Sequence, residues 1–163
     1  MKKNLEDYRE GAIGALLDEH EKAMSEYLDF LERVNQEEFL KIVDPDTKDD
    51  DCRSFQTISN HVVNAGYGYC SYIRNQFEGP TDRIRVEVNE VTKVRSQLND
   101  MFEYMVQTLT PLWNITDEEF NSNIIISPWG QKYDLEEMLE HSIVHILRHR
   151  RQLEKFLIRI GKT

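Results

Sequence analysis

A chain of 163 residues suits one domain, residues 1–163, large enough to bury a real hydrophobic core. Its formal charge of −10 excludes a general nucleic-acid binder, which needs a basic stripe to displace counterions from phosphates, and disfavours an anionic membrane surface for the same reason. No apolar run has bilayer-spanning length, "MKKNLEDYRE" lacks the apolar stretch of a secretory signal, and Cys52 and Cys70 are too few for a disulfide framework, so reduced thiols and a cytoplasmic location are expected.

In chain order, the spacing predicts four long helices. The first runs from about Leu5 to Val34, with Leu5, Tyr8, Ala12, Leu16, Ala23, Tyr27, Phe30 and Val34 at helical intervals. "IVDPDTKDDDC" then breaks the pattern. Its aspartates are bunched and it has neither the turn glycine nor the closing glutamate of a calcium loop, so it reads as a solvated acidic loop. Ser54 is the expected N-cap of a second helix, Phe55 to Phe77, which "EGPTD" ends. A third helix is predicted from a cap at Thr81 or Asp82, on an apolar set running from Ile84 and Val88 through Met105 to Leu109. Next come a helical turn at "TDEEF" and a small hairpin in "IIISPWGQKY". Asp134 and Glu137 have capping-box spacing ahead of a fourth helix, Leu135 to Ile160. The fold expected is all-α, a four-helix bundle with a short irregular or hairpin segment before the last helix.

The chemistry gathers on the fourth helix. In "HSIVHILRHRRQ", His141, His145 and His149 follow one another at intervals of four residues. Each such step drifts only about 40° around a helix, so all three share a face with Met138, Gln152 and Phe156. Met138 and Phe156 pull that face inward, and buried imidazoles need partners. Two histidines at i and i+4 can share a metal ion; hydrogen-bonded core histidines are the plainer alternative. His61, in "TISNHVVNAGYGY" on the second helix, offers a ligand from a separate element. Ala65 and Gly68 beside it leave either a void for a ligand or a close helix contact. Three protein nitrogens with an open position is how catalytic zinc sites differ from closed structural ones. His20 has no histidine four residues away and is read as structural.

"H-x-x-x-H-R-x-Q", here His145, His149, Arg150 and Gln152, resembles the signature of the DinB/YfiT-like family, and "SFQTISNH", ending at His61, is similar to its second-helix element. The "TDEEF…WGQKYDLEEMLEH" lead into the last helix is similar too, so the resemblance covers nearly the whole chain. It implies a bundle of unusual connectivity with a divalent metal, zinc or nickel first, on His61, His145 and His149, leaving His141 as a neighbour. It also implies a homodimer, and an enzyme acting on a small molecule: a metal-dependent hydrolase first, with a thiol S-transferase using a low-molecular-weight thiol as the alternative. One departure is Arg151, where the family often has glycine. That long cation beside the motif bears on dimer contacts or substrate charge.

No general base stands out in the residues. Gln152 is the best candidate to orient a ligating imidazole. Asn64, Tyr67 and Tyr69 are candidates to orient a substrate, Glu19 and Glu26 to reach inward from the first helix, and Trp113 and Trp129 to roof the site. The competing class is a non-enzymatic interaction or sensor protein, with its binding surface elsewhere, for instance on the acidic loop.

Overall fold

The computed structural model describes residues 4–162; the first three residues of "MKKNLEDYRE", read above as lacking the apolar stretch of a signal, lie outside them. The chain is mostly helical. α1 is Gly11–Leu31, α2 Gln36–Leu40, α3 Phe55–Phe77, α4 Val91–Leu109, α5 Asp117–Ser122 and α6 Leu135–Arg159, with the two-residue strands β1, Ile125–Ile126, and β2, Lys132–Tyr133, between α5 and α6. α1 lies mainly against α6 and α4, while α3 lies against α4 and α6. The first long helix thus packs chiefly on the last, and a connection containing α2 and the acidic loop carries the chain across to α3. Among the described residues, no helix is long and apolar enough to cross a membrane.

The core between these helices is aromatic and aliphatic. Tyr27, Phe39, Phe55, Ile58, Leu98, Met101, Met105 and Leu135 are fully buried within it. Close approach of α3 and α4 depends on Gly66, where an added Cβ would collide with the side chain of Met101. Capping follows the expected chemistry. The backbone N–H of Thr57 donates to Ser54 Oγ (3.0 Å), and that of Glu137 to Asp134 Oδ1 (2.8 Å). Thr116 caps α5, the helical turn expected at "TDEEF". The hairpin also forms, antiparallel with Ile125 opposite Tyr133 and Ile126 opposite Lys132. Gly130 takes φ +84° in its turn, a conformation that favours glycine.

Two predicted helices are shorter than their apolar pattern implied. The first begins only at Gly11, whose φ of +77° breaks the path; Leu5 (89% exposed) and Tyr8 (55%) belong to no buried face. Arg9 folds back instead, its Nη1 on Asp18 (2.5 Å) and Glu21 (3.0 Å). The third begins at Val91, not at Thr81 or Asp82, and Gly79–Glu90 forms neither helix nor strand. The reason is a ladder of amides on α3. Gln56, Asn60 and Asn64 recur every four residues and meet this segment where a strand partner otherwise would. Val86 N–H donates to Asn64 Oδ1 (3.1 Å) and Asn64 Nδ2 to Val86 O (2.9 Å). Val88 N–H donates to Asn60 Oδ1 (3.2 Å), and Gln56 Nε2 to Val88 O (2.7 Å). Within "IRVEVNE", Val88 is buried and Glu87 and Asn89 are exposed, an alternation that suits an extended strap.

Candidate metal centre

α6 presents a buried stripe of Leu135, Met138, Ser142, His145, His149, Leu153 and Phe156. His145 and His149 are therefore carried inward, at 6% and 2% exposure. His61 projects from α3 toward the same point and keeps 30% of its side chain exposed. The three rings converge through their Nε2 atoms. His145 Nε2 stands 3.0 Å from His61 Nε2 and 3.2 Å from His149 Nε2. One ligand atom from each of the three lies within 4.8 Å of the others.

The outer nitrogens decide what meets at that point. His61 Nδ1 lies 3.0 Å from Asp51 Oδ2, and His149 Nδ1 lies 2.5 Å from Gln152 Oε1. A carboxylate and an amide carbonyl only accept hydrogen bonds, so each Nδ1 carries a proton, and in the neutral form of each ring, the form a metal ligand takes, Nε2 is bare. Two lone pairs thus face His145 Nε2, which has at most one proton to give. Burial, then the charges of His149 and His61, push the His145 pKa down to about 2. Burial, then His61, push that of His149 down to about 4, against the opposing effect of the hydrogen bond that His149 Nδ1–H donates to Gln152 Oε1. Both rings are neutral near pH 7, the protonation state a metal ligand needs.

These distances fit a cation. With metal–imidazole bonds of about 2.0–2.1 Å, two nitrogens on one ion stand about 2.9–3.4 Å apart at octahedral to tetrahedral angles. The donor set is all imidazole, which suits zinc, nickel, iron or cobalt and does not favour calcium or magnesium. The arrangement is one-sided. α3 and α6 supply the nitrogens, and the remaining side opens on a cavity of about 570 Å³ lined by His61, Ala65, Tyr69, Tyr72, Arg83, Pro128, Trp129, His141, His145 and Arg148. A second hollow, also about 570 Å³, meets it at His61, Ala65 and Arg83 and is otherwise mainly polar, with Asp51, Asn60, Asn64, Arg85 and Glu87 beside Val86.

Other expected contributors separate into those at the cluster and those away from it. Tyr69 faces His141 and His145 at ring distances of 5.5 and 5.7 Å. Trp129, at the hairpin tip, lies 6.0 Å from the His141 ring and covers the cavity. His141 stays beside the cluster, its ring 6.4 Å from that of His145, with Nδ1 3.4 Å from Tyr133 Oη. Burial and Arg148 hold its pKa below the ordinary histidine value. Away from the cluster, Trp113 packs on the hydrophobic core after the turn that ends α4 and does not roof the site. Tyr67 pairs with Tyr104 at a ring distance of 5.6 Å. Asn64 serves the strap. Glu26 binds Arg150 and Glu19 meets Lys22 at 3.7 Å, so neither carboxylate reaches the cluster. Arg151 is exposed and lines neither hollow. His20 is buried without another histidine, stacked on Phe102 at 5.6 Å.

Asp51 was missed. The sequence reading set the acidic loop aside as solvated, yet Asp49 caps a 3₁₀ turn, Asp50–Cys52, that holds Asp51 against His61. No spacing rule links a loop aspartate to a histidine ten residues on; the one available signal was the turn-forming "DDDC" just ahead of the Ser54 cap. Ala65 and Gly68 also resolve differently. Ala65 leaves open space beside His61, whereas Gly68 is covered by Arg83, whose Nη2 would lie 2.7 Å from an added Cβ.

Comparison with curated proteins gives no match. The model of the DinB family matches residues 3–163, and with its histidines gathered as described, the chain belongs to the DinB family.

Proposed function

We propose that the chain is a divalent-metal-dependent hydrolase of small molecules, built as a four-helix bundle of the DinB/YfiT-like type, with His61, His145 and His149 as the metal ligands. The observation that carries this reading is the meeting of three Nε2 atoms whose outer nitrogens are committed as donors to Asp51 and Gln152. A divalent ion held there, zinc or nickel first, supplies a Lewis acid that polarises a carbonyl and acidifies water.

The chain's own residues do the remaining work. Asp51 and Gln152 fix the tautomers and ring orientations of His61 and His149. Burial keeps His145 and His149 unprotonated, so that protons do not compete for the site. Trp129 and Tyr69 wall the cavity and give it an apolar surface against which a substrate can pack. His141, neutral near pH 7 and facing the same cavity, is placed to accept a proton from the attacking water and return it to the leaving group.

A thiol S-transferase is the second reading, favoured by one observation. The aromatic cavity and the polar hollow meet at His61, giving room for two reactants on either side of the cluster. Metal analysis of the purified protein, with His61→Ala and His149→Ala as controls, tests the centre. Hydrolysis of 4-nitrophenyl acetate by zinc-loaded and chelator-treated protein tests the first activity. A thiolate charge-transfer band on titrating cobalt-loaded protein with a low-molecular-weight thiol, together with an absence of hydrolysis, moves the assignment to the transferase. Failure of the wild-type protein to take up any divalent ion removes both and leaves a non-enzymatic interaction protein.

A further inference from the structure

The aromatic cavity carries two guanidinium groups and no acid. Its lining includes Arg83 and Arg148 beside Tyr69, Tyr72, Trp129 and His141, and no aspartate or glutamate. Acids outnumber bases in the chain by 30 to 20, and Arg9, Arg53, Arg74, Arg95, Arg150 and Arg159 all sit on carboxylates. Among the described residues, neither Arg83 nor Arg148 is within ion-pair distance of one. Arg83 and Arg148 thus bring two cations without a carboxylate partner to the lining of one cavity. Such an arrangement is relieved by an anion.

Arg83 is held in place. Its Nη2 donates to Asn64 O at 2.8 Å and its Nη1 lies 3.4 Å from Tyr72 Oη. The guanidinium lies across Gly68, the helix position where a Cβ would displace it. A guanidinium has five N–H donors, so part of this set is left without an acceptor among the described residues. Arg148 stands on α6 one turn beyond His145, on the His141–His145 side, and its guanidinium has no hydrogen-bond partner among the described residues. Trp129, 55% exposed at the hairpin tip, and Tyr72 meet at 6.1 Å and give the cavity an apolar wall. The polar hollow lacks this character, because Arg85 and the Arg83 common to both hollows share its lining with Asp51 and Glu87, whereas Arg148 belongs to the aromatic cavity alone.

We infer that the aromatic cavity is an anion-recognition subsite, in which Arg148 and Arg83 hold a carboxylate or phosphate group carried on a planar or apolar body that packs against Trp129 and Tyr72. The placing of the substrate's reacting bond over the histidines rests on the metal-centre reading above; the anion subsite itself does not. The cavity volume of about 570 Å³ is that of a small-molecule site.

Isothermal titration of zinc-free and zinc-loaded protein with 3-phenylpropionate, phenyl phosphate and the neutral 3-phenylpropionamide tests this. Both protein forms are expected to bind at least one anion, with the amide about tenfold weaker or worse, the size of one charge-assisted contact. The stronger of the two anions identifies the group. Arg148→Gln, at an exposed position without partners, is expected to weaken the anion about tenfold and leave amide binding and zinc stoichiometry unchanged. Arg148→Lys restores part of the loss, and Arg83→Lys keeps charge while losing the fork. Anions that bind no better than the amide overturn the proposal. So does anion binding that needs zinc and survives Arg148→Gln, since the anion is then on the metal. Failure of the metal reading shows separately, as wild-type protein that takes up no zinc while anion binding persists.

Discussion

Two kinds of buried imidazole occur in this molecule. His20 on α1 has no second histidine beside it, is 2% exposed and stacks on Phe102, and its Nδ1 lacks a hydrogen-bond partner among the described residues. His145 and His149 are equally buried but meet His61, and the outer nitrogens of His61 and His149 are committed to Asp51 and Gln152. Burial keeps His20, His145 and His149 neutral alike. The difference lies in where the lone pairs go: at His20 to no second imidazole, in the cluster to one shared point. Burial alone makes a histidine neutral; oriented partners make a group of them a site.

Removing a cluster nitrogen breaks the comparison most sharply. His61→Ala or His149→Ala is expected to cost more in zinc affinity than the roughly 10–100-fold typical of an outer partner, whereas His20→Leu leaves zinc affinity unchanged; competition titration against a chromogenic chelator reads both. Ligand linkage comes next. Zinc at about 1,000 times its Kd stabilises the native state by about 4 kcal/mol, which for this chain length raises Tm by about 10 °C. That rise is absent in His149→Ala and kept in His20→Leu, as calorimetry with and without a chelator checks.

Acid separates the two surroundings in the zinc-free protein. Burial lowers the His20 pKa from 6.5 to about 4. A depressed histidine makes the unfolded chain the better proton binder, so its contribution is intact above pH 6.5 and is lost as pH falls from 6.5 to about 4. The loss amounts to about 3 kcal/mol for His20. Urea midpoints across that range are expected to fall less steeply in His20→Leu, while the part due to His149 remains. The smallest effects belong to the orienting partners. Asp51→Ala and Gln152→Ala are each expected to weaken zinc about 10–100-fold with Tm of the zinc-free protein nearly unchanged, and together to add. Loss of stability without loss of zinc affinity in either variant places that side chain in packing alone.

The histidine face of α6 was legible because a helix converts a spacing of four into a shared direction before any tertiary contact forms. Ser54, Asp134 and Gly130 were legible for the same local reason: capping and turn chemistry act over a few residues. The strap at Gly79–Glu90 was not. Ile84 and Val88 lie four apart and read as a helix stripe, while the partners that extend the segment, Asn60 and Asn64, sit on another element. Asp51 and Arg83 were hidden likewise, since each gains its meaning only once α3 is in place. His61 stands between these cases. Its residue type and the family resemblance pointed to it, but its approach to His145 is a product of helix packing.

X-ray absorption at the zinc edge of the loaded protein tests the central claim most directly. The account predicts three imidazole nitrogens at about 2.0–2.1 Å with lighter exchangeable ligands completing the shell, falling to two imidazoles or no bound zinc in His61→Ala. A zinc shell in the wild-type protein with one imidazole or none, or a shell that His61→Ala leaves intact, contradicts it.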